Sequence, residues 1–197
     1  MLGSRERGIT VSDPPWAADL LGSTRWAWLW LVVRLYVGYA WLSAGWGKVG
    51  NPAWGETGAY LRTFWERAVQ VPAPPARPPI AFDWYRAFIQ ALLDGGHYTW
   101  MAKLIVAGEI VIGVLLILGA FTGIAAFFGV LMNFSFMMAG TTSTNPVLMV
   151  VGMLVIGAWR VAGWYGLDRW LLYELGTPWQ KGRIFTRGRE PVHEGAA

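Results

Sequence analysis

Cysteine is missing altogether from the 197 residues. Without it the chain can form no disulfide, no zinc–thiolate site and no iron–sulfur cluster, and thiol redox chemistry is excluded. The absence says nothing about compartment. Histidine is nearly as scarce: His97 and His193 are the only two, and both lie outside the apolar blocks. That placement excludes a bis-histidine haem held within those blocks. Charge is thin as well, with 14% charged residues against 55% hydrophobic ones and a mean hydropathy of +0.38. Ordinary globular domains carry about 25% charged residues. The apolar residues also gather in blocks rather than spreading at core periodicity, so an integral membrane protein is expected. Fourteen tryptophans fit that class, because indole favours the membrane–water interface.

What charge there is comes out at +4 net, with Lys181, Arg183, Arg187 and Arg189 gathered near the C-terminus. Such a tail suits anionic lipid headgroups, so the lipid bilayer is the expected partner and nucleic acid is not.

Residues 1–25 read as polar and irregular, too long and too polar before the first apolar block to be a cleavable signal peptide. The first spanning helix is expected at about 26–46, with Trp26, Trp28 and Trp30 near one interface and Trp41 and Trp46 approaching the other. Residues 47–99 form a long loop with two helical stripes. Leu61, Phe64, Trp65 and Ala68 make one and Tyr85, Phe88, Ile89 and Leu92 the other, on either side of the proline-rich stretch 71–79. These predict amphipathic interfacial helices forming a lid, rather than a mobile connector. Further spans are expected at about 100–119, 121–139 and 146–165, the last opened by Pro146 in its first turn. The expected fold is therefore all-α: a four-transmembrane-helix bundle over 26–170, a polar segment before it and a basic tail over 171–197. Four spans put both termini on one side. The positive residues of the short flanks favour the cytoplasm, giving a multi-pass cell-membrane protein with its lid outside.

Within the apolar blocks, Arg34, Gly38, Trp41, Gly45 and Lys48 fall on one face of the first helix. An arginine in hydrocarbon costs at least ~2.5 kcal/mol, so it needs a partner or a wet cavity. Counting ~1.5 Å per residue from the helix ends, Arg34, Glu109 and Asn133 fall within one layer, with Arg160 shallower. An Arg34–Glu109 pair is the expected solution. The layer either only fixes helix register or forms a polar site for a headgroup or a proton relay. Lys48 and His97 lie at the outer end, where a lysine commonly snorkels and a histidine could exchange a proton with a quinone.

The pattern R-x-x-x-G-x-x-x-L-x-x-G-x-x-K from Arg34 to Lys48 resembles the first helix of DoxX-like membrane proteins. So does E-x-x-x-G-x-L-L-x-L-G-x-F-T from Glu109 to Thr122. The stretch WRVAGWYGLDRWL at 159–171 is similar to the DoxD branch, the small subunit of thiosulfate:quinone oxidoreductase. The resemblance implies a four-helix membrane subunit of a respiratory or sulfur-redox oxidoreductase complex, with further membrane or periplasmic subunits as partners. A quinone held without a covalent bond is the cofactor it implies, and no metal. The quinone would sit between helices and lid, its ring packed by Trp46, Trp100 and Phe136 and its oxygens bonded by Lys48 or His97. The alternative is a non-catalytic accessory subunit that stabilises a larger respiratory or photosynthetic membrane complex. A transporter is disfavoured, since no internal repeat or broken helix is visible.

Overall fold

Residues 14–177 and 180–186 are described by a computed structural model, and the chain is mostly helical over them. Two helices are long and apolar enough to cross a membrane: α2 (Ala27–Trp46) and α6 (Tyr98–Leu118). Neither contains a proline. α6 stops where Gly119 takes the left-handed conformation at φ 65°, which most side chains resist, and the chain turns straight into α7 (Thr122–Met138). α7 and α8 (Asn145–Gly157) are apolar but shorter, at 17 and 13 residues.

The continuous helix expected over 146–165 is not formed. α8 ends at Ala158, whose φ of −99° and ψ of 15° leave the helical region, and a single further turn, α9 (Trp159–Ala162), follows. Gly157 at the break has no side chain to hold the turn and costs a helix about 1 kcal/mol relative to alanine.

α2 and α6 run antiparallel and nearly backbone to backbone. A Cβ on Gly113 would lie 2.5 Å from the amide nitrogen of Leu42; one on Gly38 would lie 3.0 Å from that of Ile117, and one on Gly45 3.0 Å from that of Ile110. These three glycines set the register. α7 packs on α6 and α8 on α7, and α8 returns to touch α2, so the four helices close a ring. Trp30, Val37, Trp41, Ile112, Leu116 and Val155 fill its interior.

At one end of the ring lie both flanking segments. The stretch before residue 26 is not irregular throughout: Pro15 opens α1 (Pro15–Gly22), and a 3-10 turn (Thr24–Trp26) leads into α2. Trp30 donates its indole N–H to the Leu20 carbonyl at 2.8 Å, holding α1 against α2. The C-terminal side is not a plain tail, nor wholly helical. α10 (Asp168–Leu175) leads into two short strands, β1 (Gly176–Thr177) and β2 (Gln180–Lys181), paired antiparallel, and then α11 (Arg183–Thr186). Arg187 and Arg189 fall outside the described residues.

At the other end the loop folds into α3 (Pro52–Gly55), α4 (Ala59–Ala68) and α5 (Asp83–Asp94). It has its own core of Leu61, Trp65, Ala68, Ile80 and Ile89, closed from below by Ala102 of α6. The Tyr85 hydroxyl donates to the Ser135 carbonyl at 2.9 Å, tying α5 to α7, and burial pushes the Tyr85 phenol above its usual pKa.

If the glycine contacts set the register, Gly113→Ala must push Leu42 and its helix outward. Overpacking of this kind costs ~1–3 kcal/mol. Thermal unfolding in detergent should show that loss, whereas Gly55→Ala, with open space around its Cβ position, should change little. Equal midpoints for the two variants would show that the α2–α6 approach does not limit stability.

Candidate functional site: two polar levels in an apolar bundle

The first level is at the end of the ring where α6 turns into α7. Arg34 is 1% exposed. Its guanidinium donates to the carbonyls of Leu116 at 2.5 Å, Ile117 at 3.2 Å and Tyr165 at 3.3 Å. Leu116 and Ile117 belong to the last turn of α6, where carbonyls lack an i+4 amide and the helix dipole is negative, although the Leu116 carbonyl also accepts from the Gly119 amide at 3.3 Å. Asp168 does the opposite for α7. Its carboxylate accepts from the amides of Phe121 at 2.6 Å and Thr122 at 2.8 Å, at the positive end of that helix. The Leu167 and Asp168 amides meanwhile donate to the Leu118 and Gly119 carbonyls at 3.1 and 2.7 Å. One cation and one anion therefore bracket a single tight turn. Gly166 lets the backbone of this segment lie on Gly119, since a Cβ there would come 2.7 Å from the Gly119 Cα.

The second level is at the loop end. Glu109 is 3% exposed, and its Oε2 lies 2.5 Å from Lys48 Nζ. Lys48 also donates to the Ala44 carbonyl at 3.0 Å and sits 5.2 Å from the centre of the Trp54 ring in α3. Its three donors thus face a carboxylate, a carbonyl and an aromatic face. The Glu109 Oε1 atom takes part in no hydrogen bond among the described residues.

Asn133 belongs to this level too. A Cβ on Gly129 would meet Trp41 Nε1 at 3.0 Å and Ile112 Cγ2 at 3.5 Å, so α7, α2 and α6 converge there. One helical turn toward the loop along each helix places Asn133, Gly45 and Gly108–Glu109 at one level. Asn133 is 1% exposed, and among the described residues neither its amide nitrogen nor its amide oxygen has a hydrogen-bond partner.

The expected Arg34–Glu109 pair is absent. Arg34 bonds carbonyls and Glu109 bonds Lys48, and Arg34 and Lys48 stand about 21 Å apart along α2. Counting depth from helix ends assumed that the ends are flush. The glycine contacts instead place Glu109 opposite Gly45 and leave Arg34 beside the last turn of α6. Arg160 lies exposed on α9, outside either level. No side-chain pairing in the sequence points to Asp168, because its partners are backbone amides.

The residues expected around a quinone do not converge. His97 is exposed just before α6; its Nδ1 accepts from the Trp100 indole at 3.2 Å, and it lies about 18 Å along α6 from Glu109. Trp46 is 69% exposed and Phe136 packs on the central core. A depression of about 350 Å³ is lined by Tyr60, Phe64 and Arg67, and one of about 390 Å³ by Tyr173, Gln180 and Arg183. Neither includes Lys48, His97, Trp46, Trp100 or Phe136. Among the described residues, no group of three or more His, Asp or Glu is placed to hold a metal ion. No protein-family model matches the chain, and no curated protein or solved structure does either.

The two levels make opposite demands on double-mutant cycles. Removing one member of a buried pair costs ~3–5 kcal/mol, and part of that returns when the other is removed. Lys48→Gln and Glu109→Gln should therefore be strongly non-additive in detergent stability. Arg34→Gln and Glu109→Gln should add. Coupling in the second cycle, or simple additivity in the first, would contradict this arrangement.

Proposed function

We propose that the chain is a four-span membrane subunit of an oxidoreductase complex, of the DoxX-like kind. It sits in the cell membrane with both ends cytoplasmic and the folded 47–97 loop outside. One observation carries the membrane part: the bundle is apolar outward and polar inward. Val32, Tyr39, Leu104, Phe127, Phe128 and Val150 are exposed on α2, α6, α7 and α8, while Arg34, Glu109 and Asn133 are buried between them. Water as solvent would favour the reverse; lipid as solvent rewards this one. The loop helices then lie at the outer interface, with Phe82, Trp84 and Phe88 of the α5 region exposed to it.

The oxidoreductase part rests on the resemblance of the Arg34–Lys48, Glu109–Thr122 and 159–171 stretches. Within it, the accessory role is better supported than quinone chemistry at the outer surface. Lys48 has its donors engaged, His97 is turned to Trp100, and the aromatic residues are dispersed. With no cysteine the chain keeps no electrons on thiols. What it offers partners is a loop with its own core, fixed to the bundle through Tyr85, and that is a docking surface. The quinone-reactive reading keeps one observation in its favour: the unpartnered amide of Asn133 at the level of the buried Glu109.

On the cysteine-free background, Pro75→Cys in intact cells should react with an impermeant maleimide. Lys181→Cys should react only after permeabilisation. The opposite pattern would overturn the orientation, and protection of both in the presence of lipid would overturn the four-span arrangement. Purification in a gentle detergent should bring down redox subunits in fixed ratio. A chain that elutes alone under every mild condition speaks against the subunit role.

A further inference from the structure

We propose that Asn133 and Glu109 form the binding site of a neutral oxygen ligand, one that accepts a hydrogen bond at the same atom from which it donates one. Water has this chemistry, and so does an organic hydroxyl such as that of a quinol. The inference deepens the membrane-subunit reading by naming what its loop-side polar level takes.

Three observations converge on it. Asn133 is 1% exposed and both halves of its amide lack partners. Buried polar groups in folded proteins are almost always hydrogen-bonded, and an amide in apolar surroundings loses two bonds at once. The helix contacts through Gly129, Trp41 and Ile112 bring Asn133 to the level of Glu109, one turn further along. Glu109 commits only Oε2 to Lys48, leaving Oε1 without a hydrogen bond. An amide N–H, an amide oxygen and a free carboxylate oxygen are the donor and two acceptors that a hydroxyl or a water can satisfy together.

Lys48 is not a ligand-binding residue in this arrangement. Its charge is taken up by Glu109, the Ala44 carbonyl and the Trp54 ring. It marks the entry side: its side chain is 21% exposed against 4% for Glu109, so the path in runs beside it from the loop end. Met132 lies across Gly108, 3.3 Å from where its Cβ would be, next to Glu109. An unbranched thioether with three rotatable bonds yields space readily as a ligand enters.

The test uses the full chain, purified and placed in lipid nanodiscs. Infrared difference spectra on exchange into H₂¹⁸O report internal water as isotope-sensitive O–H bands. Mass spectrometry of a solvent extract reports a bound organic hydroxyl compound. The proposal expects one of the two in the wild type, at about one site per chain. It expects at least a tenfold loss of that signal in Asn133→Val, with part retained in Asn133→Ser. If Asn133→Val does not fold, the wild type and Asn133→Ser decide between them. A wild type with neither signal overturns the proposal, and so does a signal left unchanged by both variants. Because occupancy is read on the isolated chain, a failed search for partner subunits leaves this result standing, and the reverse holds too.

Discussion

The contact on which the rest of the structure depends is the backbone-to-backbone approach of α2 and α6. In the lipid surroundings proposed for this bundle there is no hydrophobic force to press two helices together, so close packing would come from dispersion and shape. Gly38, Gly45 and Gly113 remove the side chains that would keep the axes apart. The contact is steep in register, since sliding by a single residue would drive Leu42 or Ile110 into a neighbouring side chain. Every polar partnership in the bundle follows from the alignment that results. It places Arg34 level with the last carbonyls of α6 and Glu109 within reach of Lys48.

The two levels solve different problems. At the flanked end, the carbonyls closing α6 and the amides opening α7 face each other across a turn of three residues. In water both sets would be hydrated; in a bilayer each unsatisfied group costs several kcal/mol. Arg34 and Asp168 answer that cost with side chains contributed from two other segments, so the turn is secured by α2 and α10 together. At the loop end, the Lys48–Glu109 pair closes on itself, and the loop covers it through Trp54. Each level keeps buried polar atoms without a partner among the described residues: Arg34 Nε and Thr122 Oγ1 at the first, both amide atoms of Asn133 at the second.

Much of this was legible in the sequence, and the part that was not has a common cause. Block hydropathy located the two long apolar helices at 26–46 and 100–119, and helical spacing found the buried face that carries Arg34, Gly38, Trp41 and Gly45. Spacing also found Leu61, Trp65 and Ile89, but placed them toward a bilayer surface; they form a core of the loop's own. What failed was register between helices. The glycine contacts offset α2 and α6 by about three turns from flush ends, enough to exchange Lys48 for Arg34 as the partner of Glu109. The sequence also offers no sign of bonds to backbone, and Arg34 and Asp168 use backbone almost exclusively. A search for opposite charges at matching depth cannot find a cation whose partners are carbonyls.

The same glycine contacts bear on what the bundle can do. Alternating access requires one group of helices to rock against another around a central site. Here α2 and α6 touch along about two turns at Gly38, Gly45 and Gly113, α6 and α7 are clamped by the Arg34–Asp168 bracket, and α5 is tied to α7 by Tyr85. Such a body transmits position rather than changing it. That rigidity fits the accessory role proposed above, in which the folded loop is held at a fixed height on the bundle.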